Sequence, residues 1–211
     1  SMDPKIRARL ESKSGKTLYG YQKLAIDEMM QKFVDKQTNY NLLFQLPTGG
    51  GKTVIFSELA KKFILSTGKK VLILTHRIEL LGQTSNLLSE IGVPNKVINA
   101  KVKDLDDGKE HWCYVAMVET LNNRINDEQM EFENLGLVIV DEAHYNSFRK
   151  LFKHFRDQIL LGVTATPLSS NIKLPLNDNY NELIVGESIS SLVDGGYLSK
   201  ANTYNYDVNL R

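Results

Sequence analysis

The chain has 211 residues, 42% hydrophobic and 24% charged with a net charge of +1, an ordinary balance for a folded globular protein. That length accommodates one large α/β domain or two small ones, and a charge so near zero sets up no bulk field advertising a nucleic-acid partner, although a groove can be basic within a balanced total. A single cysteine, Cys113, excludes an intramolecular disulfide and suits the reducing cytoplasm, and no apolar stretch approaches the ~18–20 residues of a membrane span or resembles a signal peptide.

Ser1-Met2 reads as a tag-cleavage scar at the head of a charged arm, residues 1–17, expected to form a short helix or a loose segment. The main domain is expected over 18–200. It opens with Leu18-Tyr19-Gly20-Tyr21-Gln22 and continues with apolar residues at Ala25, Ile26, Met29, Met30, Phe33 and Val34, whose offsets of three and four mark an amphipathic helix. Gln22 stands at the start of that helix, and its amide can serve both the donor and the acceptor edge of adenine. That role gains weight from the glycine-rich stretch downstream of it.

Leu42-Leu43-Phe44 is a buried strand, and it runs into Leu46 to Thr53, L-P-T-G-G-G-K-T, ahead of the apolar Val54-Ile55-Phe56. Strand, glycine-rich loop and helix start in that order make a phosphate-binding loop. Gly49, Gly50 and Gly51 let the backbone turn closely around a ligand, and the N–H groups from Pro47-Thr48 onward and the helix N-terminus face polyphosphate oxygens. Lys52 reaches the β- and γ-phosphates, and the Thr53 hydroxyl ligates Mg²⁺. The usual pattern begins with Gly or Ala, and Leu46 stands there in this chain.

The helix over Val54 to Leu65 is closed by Thr67-Gly68. Val71 to Thr75 reads as a buried parallel strand, followed by His76-Arg77 and a helix carrying Ile78, Leu81, Leu87, Leu88 and Ile91 that Gly92 and Pro94 stop. A short strand around Val97-Ile98, a surface loop over Lys103 to Glu110, a strand from Trp112 to Val118 and a helix start over Glu119 to Ile125 come next. Leu137 to Val140 is a strand ending in Asp141-Glu142-Ala143-His144. Phe148 to Phe155 fits a short basic helix, and Ile159 to Val163 a strand ending in Thr164-Ala165-Thr166-Pro167. Beyond it, Leu168 to Tyr180 reads as a loop, Ile189 to Val193 as a short helix and Asn202 to Arg211 as an edge strand.

Strands alternating with helices imply an α/β fold, a parallel β-sheet with helices on both faces and ligands outside the strand C-termini. Three strand ends carry the chemistry: the phosphate loop, D-E-A-H and T-A-T-P. Asp141, directly after four β-formers, is placed to hold Mg²⁺ opposite Thr53, a hard cation that wants oxygen ligands. Glu142 is suited to polarise an attacking water as general base. His144 is expected to bond the hydroxyls of Thr164 and Thr166 and so couple the nucleotide site to a second ligand.

Together, Y-Q at 21–22, L-P-T-G-G-G-K-T at 46–53, V-L-I-L-T-H-R-I-E-L-L at 71–81, V-I-V-D-E-A-H at 138–144 and G-V-T-A-T-P at 162–167 resemble the ordered motifs of superfamily 2 helicases and translocases. The likeness is greatest to the DEAD/DEAH-box-type branch of restriction-enzyme translocase subunits and excision-repair helicases, and it covers about Leu18 to Tyr197. The family pattern often has Arg where this chain has Tyr19. The resemblance implies a RecA-like P-loop NTPase domain that uses ATP and Mg²⁺. It makes Gln22 the adenine reader, Lys52 and Thr53 the phosphate and metal residues, Asp141 the Mg²⁺ holder and Glu142 the water activator. His144, Thr164 and Thr166 become the coupling residues. It also implies phosphate-backbone contacts from Thr75, His76, Arg77 and the region of Thr120, with DNA favoured over RNA as the partner. A second RecA-like domain, with 201–211 leading toward it, would supply arginine fingers, so the chain alone should hydrolyse ATP poorly. Nuclease or methyltransferase subunits are further partner candidates. The alternatives are an RNA helicase domain and a nucleotide-dependent interaction module.

Overall fold

The computed structural model describes residues 2–15, 17–36, 40–45, 51–102, 105, 108–126, 131–142, 151, 153–164 and 182–185. The loop residues 46–50, His144, Thr166, half of the expected basic helix at 148–155, the helix at 189–193 and the strand at 202–211 lie outside the described residues.

Among the described residues, five helices and seven strands follow one another as α1 (Pro4–Ser12), α2 (Gly20–Lys36), β1 (Tyr40–Gln45), α3 (Lys52–Thr67), β2 (Lys70–Thr75), α4 (Ile78–Glu90), β3 (Asn95–Ile98), β4 (Cys113–Met117), α5 (Val118–Asn126), β5 (Leu135–Asp141), β6 (Ile159–Thr164) and β7 (Glu182–Val185). The strands form one sheet in the order β3-β4-β2-β5-β6-β1-β7, with every pairing parallel. Parallel neighbours cannot be joined by tight hairpins, so each connection crosses a face of the sheet, and burial on both faces makes the strands near-continuous apolar runs.

Alternate residues divide that burial between two cores. Leu42, Phe44, Val71, Ile73, Val115, Leu137, Ile139, Leu161 and Val163 face α2, α3 and α4. Leu43, Leu72, Leu74, Ala116, Val138, Val140 and Leu160 face the other side with Val118 and Leu121 of α5, Leu151 and Phe155. Two apolar residues of the helical stripes leave the core: Val34 is 52% exposed and Ile78 is 72% exposed. Ile78 opens α4, where the helix has only just begun to turn toward the sheet. Among the described residues no helix is long and apolar enough to cross a membrane.

One element departs from the sequence reading, and another takes the helical one of its two expected forms. No strand is anticipated at Glu182–Val185, since four residues carry little periodicity, yet β7 pairs with β1 from Leu42↔Glu182 to Gln45↔Val185. The N-terminal arm forms α1, started by the Asp3 carboxylate accepting from the Lys5 N–H at 2.8 Å and by Pro4 at its first turn. Leu10 of α1 is fully buried in the same core as α2 and α3.

Candidate nucleotide-binding site

The strand order decides the site. β5, β6 and β1 are neighbours, with Asp141 in register with Val163 and Gln45 with Thr164. The β5 end bearing Asp141 and Glu142, the β6 end bearing Thr164 and the β1 end that leads to the phosphate loop therefore open on one edge. Gly51 caps α3 in the left-handed conformation, φ 71°, and its carbonyl accepts the Ile55 N–H at 3.0 Å. Lys52 and Thr53 are thereby set in the first helical turn, where backbone N–H groups are unspent.

Lys52 crosses to the end of β5. Its Nζ donates to Asp141 Oδ1 at 3.1 Å and lies 3.9 Å from Glu142 Oε1, joining residues 89 apart in sequence. Asp141 is 4% exposed, so its carboxylate sits in a medium where an unpaired charge would be costly, and the lysine offsets that cost. Glu142 adopts a left-handed φ of 52°. Non-glycine residues are held there only where surrounding structure over-determines them, commonly at functional sites. The strain turns the carboxylate out of strand geometry at the point where β5 ends.

Gln22 joins the same edge from α2. The side chain is buried, and its Oε1 accepts the Tyr19 N–H at 2.9 Å. Its Nε2 lies so close to Gly51 that any Cβ there would collide with it. Gln22, expected to read adenine, and Gly51 at the start of α3 are thus in direct contact, which no spacing in the sequence discloses. Tyr19 itself is exposed, its ring stacked on Tyr21 with centroids 6.2 Å apart and planes 15° apart.

The residues expected to touch a nucleic-acid backbone stand apart from this cluster: Thr75 ends β2, Arg77 caps α4 and Thr120 lies on α5 after β4, and β2 and β4 are on the other side of β5 from β1. Thr75 is buried, and its hydroxyl accepts the Arg77 N–H at 3.1 Å, a local turn that shapes the strand exit. Arg77 is exposed and donates from Nε to Glu79 Oε1 at 2.9 Å, with Nη2 2.8 Å from the same oxygen. The Glu79 carboxyl is held below its usual range by its backbone hydrogen bond and by Arg77. Thr120 is half-buried on α5, and Thr164 is buried at the end of β6.

Two buried cations escape the sequence reading. Arg124 donates from Nη2 to the carbonyls of Asn99 and Ala100 at 3.1 and 2.6 Å, tying α5 to the end of β3. Lys61 of α3 donates to the carbonyls of Lys13 and Ile91. The available signal was a charge inside an apolar helical stripe, Lys61 between Ala60 and Phe63 and Arg124 three residues after Leu121.

Comparison with known proteins gives a consistent set of matches. The family described as "Type III restriction enzyme, res subunit" matches residues 15–169. The putative ATP-dependent helicase IRC3 of Saccharomyces cerevisiae is 30% identical over 204 residues, covering 89% of this chain and 29% of that protein. The putative ATP-dependent RNA helicase QP509L of African swine fever virus is 32% identical over 155 residues, covering 72% of this chain and 29% of its own. Among solved structures, the UvsW helicase from bacteriophage T4 superposes with a TM-score of 0.61 at 18% identity, covering 88% of this chain and 68% of that one. The Type ISP restriction-modification enzyme LlaGI, solved with a DNA substrate mimic, gives 0.66 at 19% identity, covering 88% and 21%. These structural likenesses speak for the fold. The chain spans about 29% of the curated relatives named here.

Proposed function

The chain belongs to the type III restriction enzyme res-subunit family, a RecA-like ATP-binding domain of superfamily 2 helicases and translocases, and on that premise we propose that it is the motor domain of a nucleic-acid-dependent ATPase. The observation that carries this reading is the meeting of Lys52, Asp141 and Glu142 at one sheet edge, with Nζ to carboxylate distances of 3.1 and 3.9 Å.

In the proposed arrangement a nucleoside triphosphate lies along Pro47, Thr48, Gly49, Gly50 and Gly51 with its phosphates at the start of α3. Polyphosphate oxygens compete with Asp141 for the Lys52 ammonium, which moves from one anion to the other without being left unpaired. That exchange releases the Asp141 carboxylate, and with the Thr53 hydroxyl it makes the hard oxygen donor set that suits Mg²⁺. Glu142, projected by its left-handed backbone, receives a proton from the water whose oxygen bonds to the γ-phosphorus, as the bond to the β–γ bridging oxygen breaks and the nucleoside diphosphate leaves. Gln22 reads adenine, and His144, Thr164 and Thr166 couple the cleft to the nucleic acid.

Because the relatives are much longer, we further propose that turnover needs a second RecA-like domain supplying arginine, without which rates fall by roughly 10³–10⁵. DNA is the favoured partner, supported by the likeness to an enzyme solved on a DNA mimic; likeness to a protein named an RNA helicase keeps RNA as the second reading. Arg77 and Thr120, which follow the neighbouring strands β2 and β4, offer a sequence-independent backbone grip, whereas the Thr75 hydroxyl is spent on its turn. The buried single thiol supports a cytoplasmic location.

The test is ATP turnover by the longer protein and by this chain with no nucleic acid, single-stranded DNA, duplex DNA and RNA. DNA stimulation of the longer protein with a nearly inert chain is the expected result. Stimulation by RNA alone moves the assignment to RNA. No response to any nucleic acid would leave a nucleotide-dependent interaction module as the better account.

A further inference from the structure

Before it reaches Gln22, the chain is strapped onto α3. Lys61 is 9% exposed, and its ammonium donates to the Lys13 carbonyl at 2.7 Å and the Ile91 carbonyl at 2.9 Å. An ammonium buried this deeply persists only with such partners. Desolvation pushes its pKa below the ordinary lysine value, opposed by the nearby Glu58 carboxylate. Two residues beyond Lys13, a Cβ on Gly15 would stand 2.6 Å from Glu58 Oε1, so that backbone too is pressed onto α3.

Beyond the strap, an open pocket of about 160 Å³ lies between Leu18, Lys23 and Ile26 on one side and Glu58, Lys61 and Lys62 on the other. The Tyr19–Gln22 segment is held by Leu18 packed on the core that α2 and α3 share, by the buried Tyr21 and Gln22 at the start of α2, by the Lys13–Gly15 strap before it, and by the Gln22 amide against Gly51. α3 carries both the strap's anchor, Lys61, and the phosphate residues Lys52 and Thr53 at its start. Nine residues of helix put them about 13 Å apart on one rigid element.

We propose that Lys61 is a positioning residue for base selection: by holding Lys13–Gly15 on α3, it sets the distance between the Tyr19–Gln22 segment and the phosphate loop. This rests on the reading that Gln22 recognises adenine. The strap acts on the base and not on the phosphates, which α3 binds through its own first turn. A residue that merely stabilises the fold would affect both equally.

The experiment compares dissociation constants for ATP, GTP and inorganic tripolyphosphate in the full chain, with thermal unfolding alongside, for wild type, Lys61→Met and Lys61→Arg. Methionine keeps the reach and removes the donors; arginine keeps donors for both carbonyls. The expected result is that Lys61→Met reduces the ATP over GTP preference at least tenfold, leaves tripolyphosphate affinity within twofold of wild type, and is rescued by Lys61→Arg. An unchanged preference in Lys61→Met, or an equal loss of tripolyphosphate binding, overturns the proposal. Wild type that does not distinguish ATP from GTP overturns the Gln22 assignment, and this inference falls with it. Should Lys61→Met fail to fold, Lys61→Gln, which keeps a polar group at the site but is too short to donate to both carbonyls, must produce the same shift in preference, and its failure to do so is equally decisive.

Discussion

Replacing Gly51 by alanine tests the contact between Gly51 and Gln22, the proposed base reader, and the structure contains its own control. Gly51 and Gly68 cap opposite ends of α3 with almost the same backbone, φ 71° and 67°. A left-handed conformation costs an L-residue about 1–2 kcal/mol, so both substitutions carry that charge. They differ in what the new methyl meets: nothing within 4 Å at Gly68, but the Gln22 amide at Gly51. Moving that amide breaks its bond from the Tyr19 N–H, worth about 1 kcal/mol, so Gly51→Ala should destabilise by about 2–3 kcal/mol and Gly68→Ala by about 1–2. At roughly 2–4 °C per kcal/mol for a chain of this size, the melting temperatures fall by about 4–12 °C and 2–8 °C. Because ranges overlap, the deciding assay is ATP binding measured beside denaturant unfolding. Gly51→Ala should weaken ATP about tenfold or more, equivalent to about 1.4 kcal/mol, while Gly68→Ala binds as wild type. Equal destabilisation with wild-type ATP binding in both variants would refute the argument.

Glu142→Gln should leave nucleotide affinity within about twofold and lower nucleic-acid-stimulated turnover of the longer protein by about 10²–10⁴, the usual share of a general base; turnover near wild type would remove Glu142 from that role. Leu10→Ala should destabilise the chain by about 2–5 kcal/mol in urea or guanidinium titration, because Leu10 is fully buried, and a loss below about 1 kcal/mol would mean α1 is only loosely docked. The Cys113 thiol is fully buried and its pKa is raised well above the ordinary 9.0 by desolvation, so the folded chain keeps a proton that the unfolded chain loses. Wild-type stability should therefore fall relative to Cys113→Ala above about pH 9, by about 1.4 kcal/mol per pH unit, with a constant difference below it; unfolding curves at pH 7, 9 and 10 check this, and a flat difference to pH 10 would refute it.

Local sequence was sufficient for whatever depends on neighbours along the chain. The strand that ends at Gln45 and the helix that opens at Gly51-Lys52-Thr53 could be read because each is written in one contiguous stretch. The stop at Gly68 was legible because a left-handed cap has few residues able to adopt it. The apolar runs of β1, β2, β5 and β6 announced a buried parallel sheet.

Tertiary structure alone decided which strand ends meet. The order β5-β6-β1 brings Lys52 to Asp141 across 89 residues, because parallel strands pair according to crossover geometry and shared burial, which leave no local mark. The same packing turned Thr75 inward to serve Arg77, left Val34 and Ile78 in solvent, and added β7 to the edge of β1. It also set Gln22 against Gly51 and closed Lys61 over the Lys13 carbonyl. A lysine or glutamine in sequence is a polar side chain of average prospects; burial, and the partners that burial obliges it to find, give it a task.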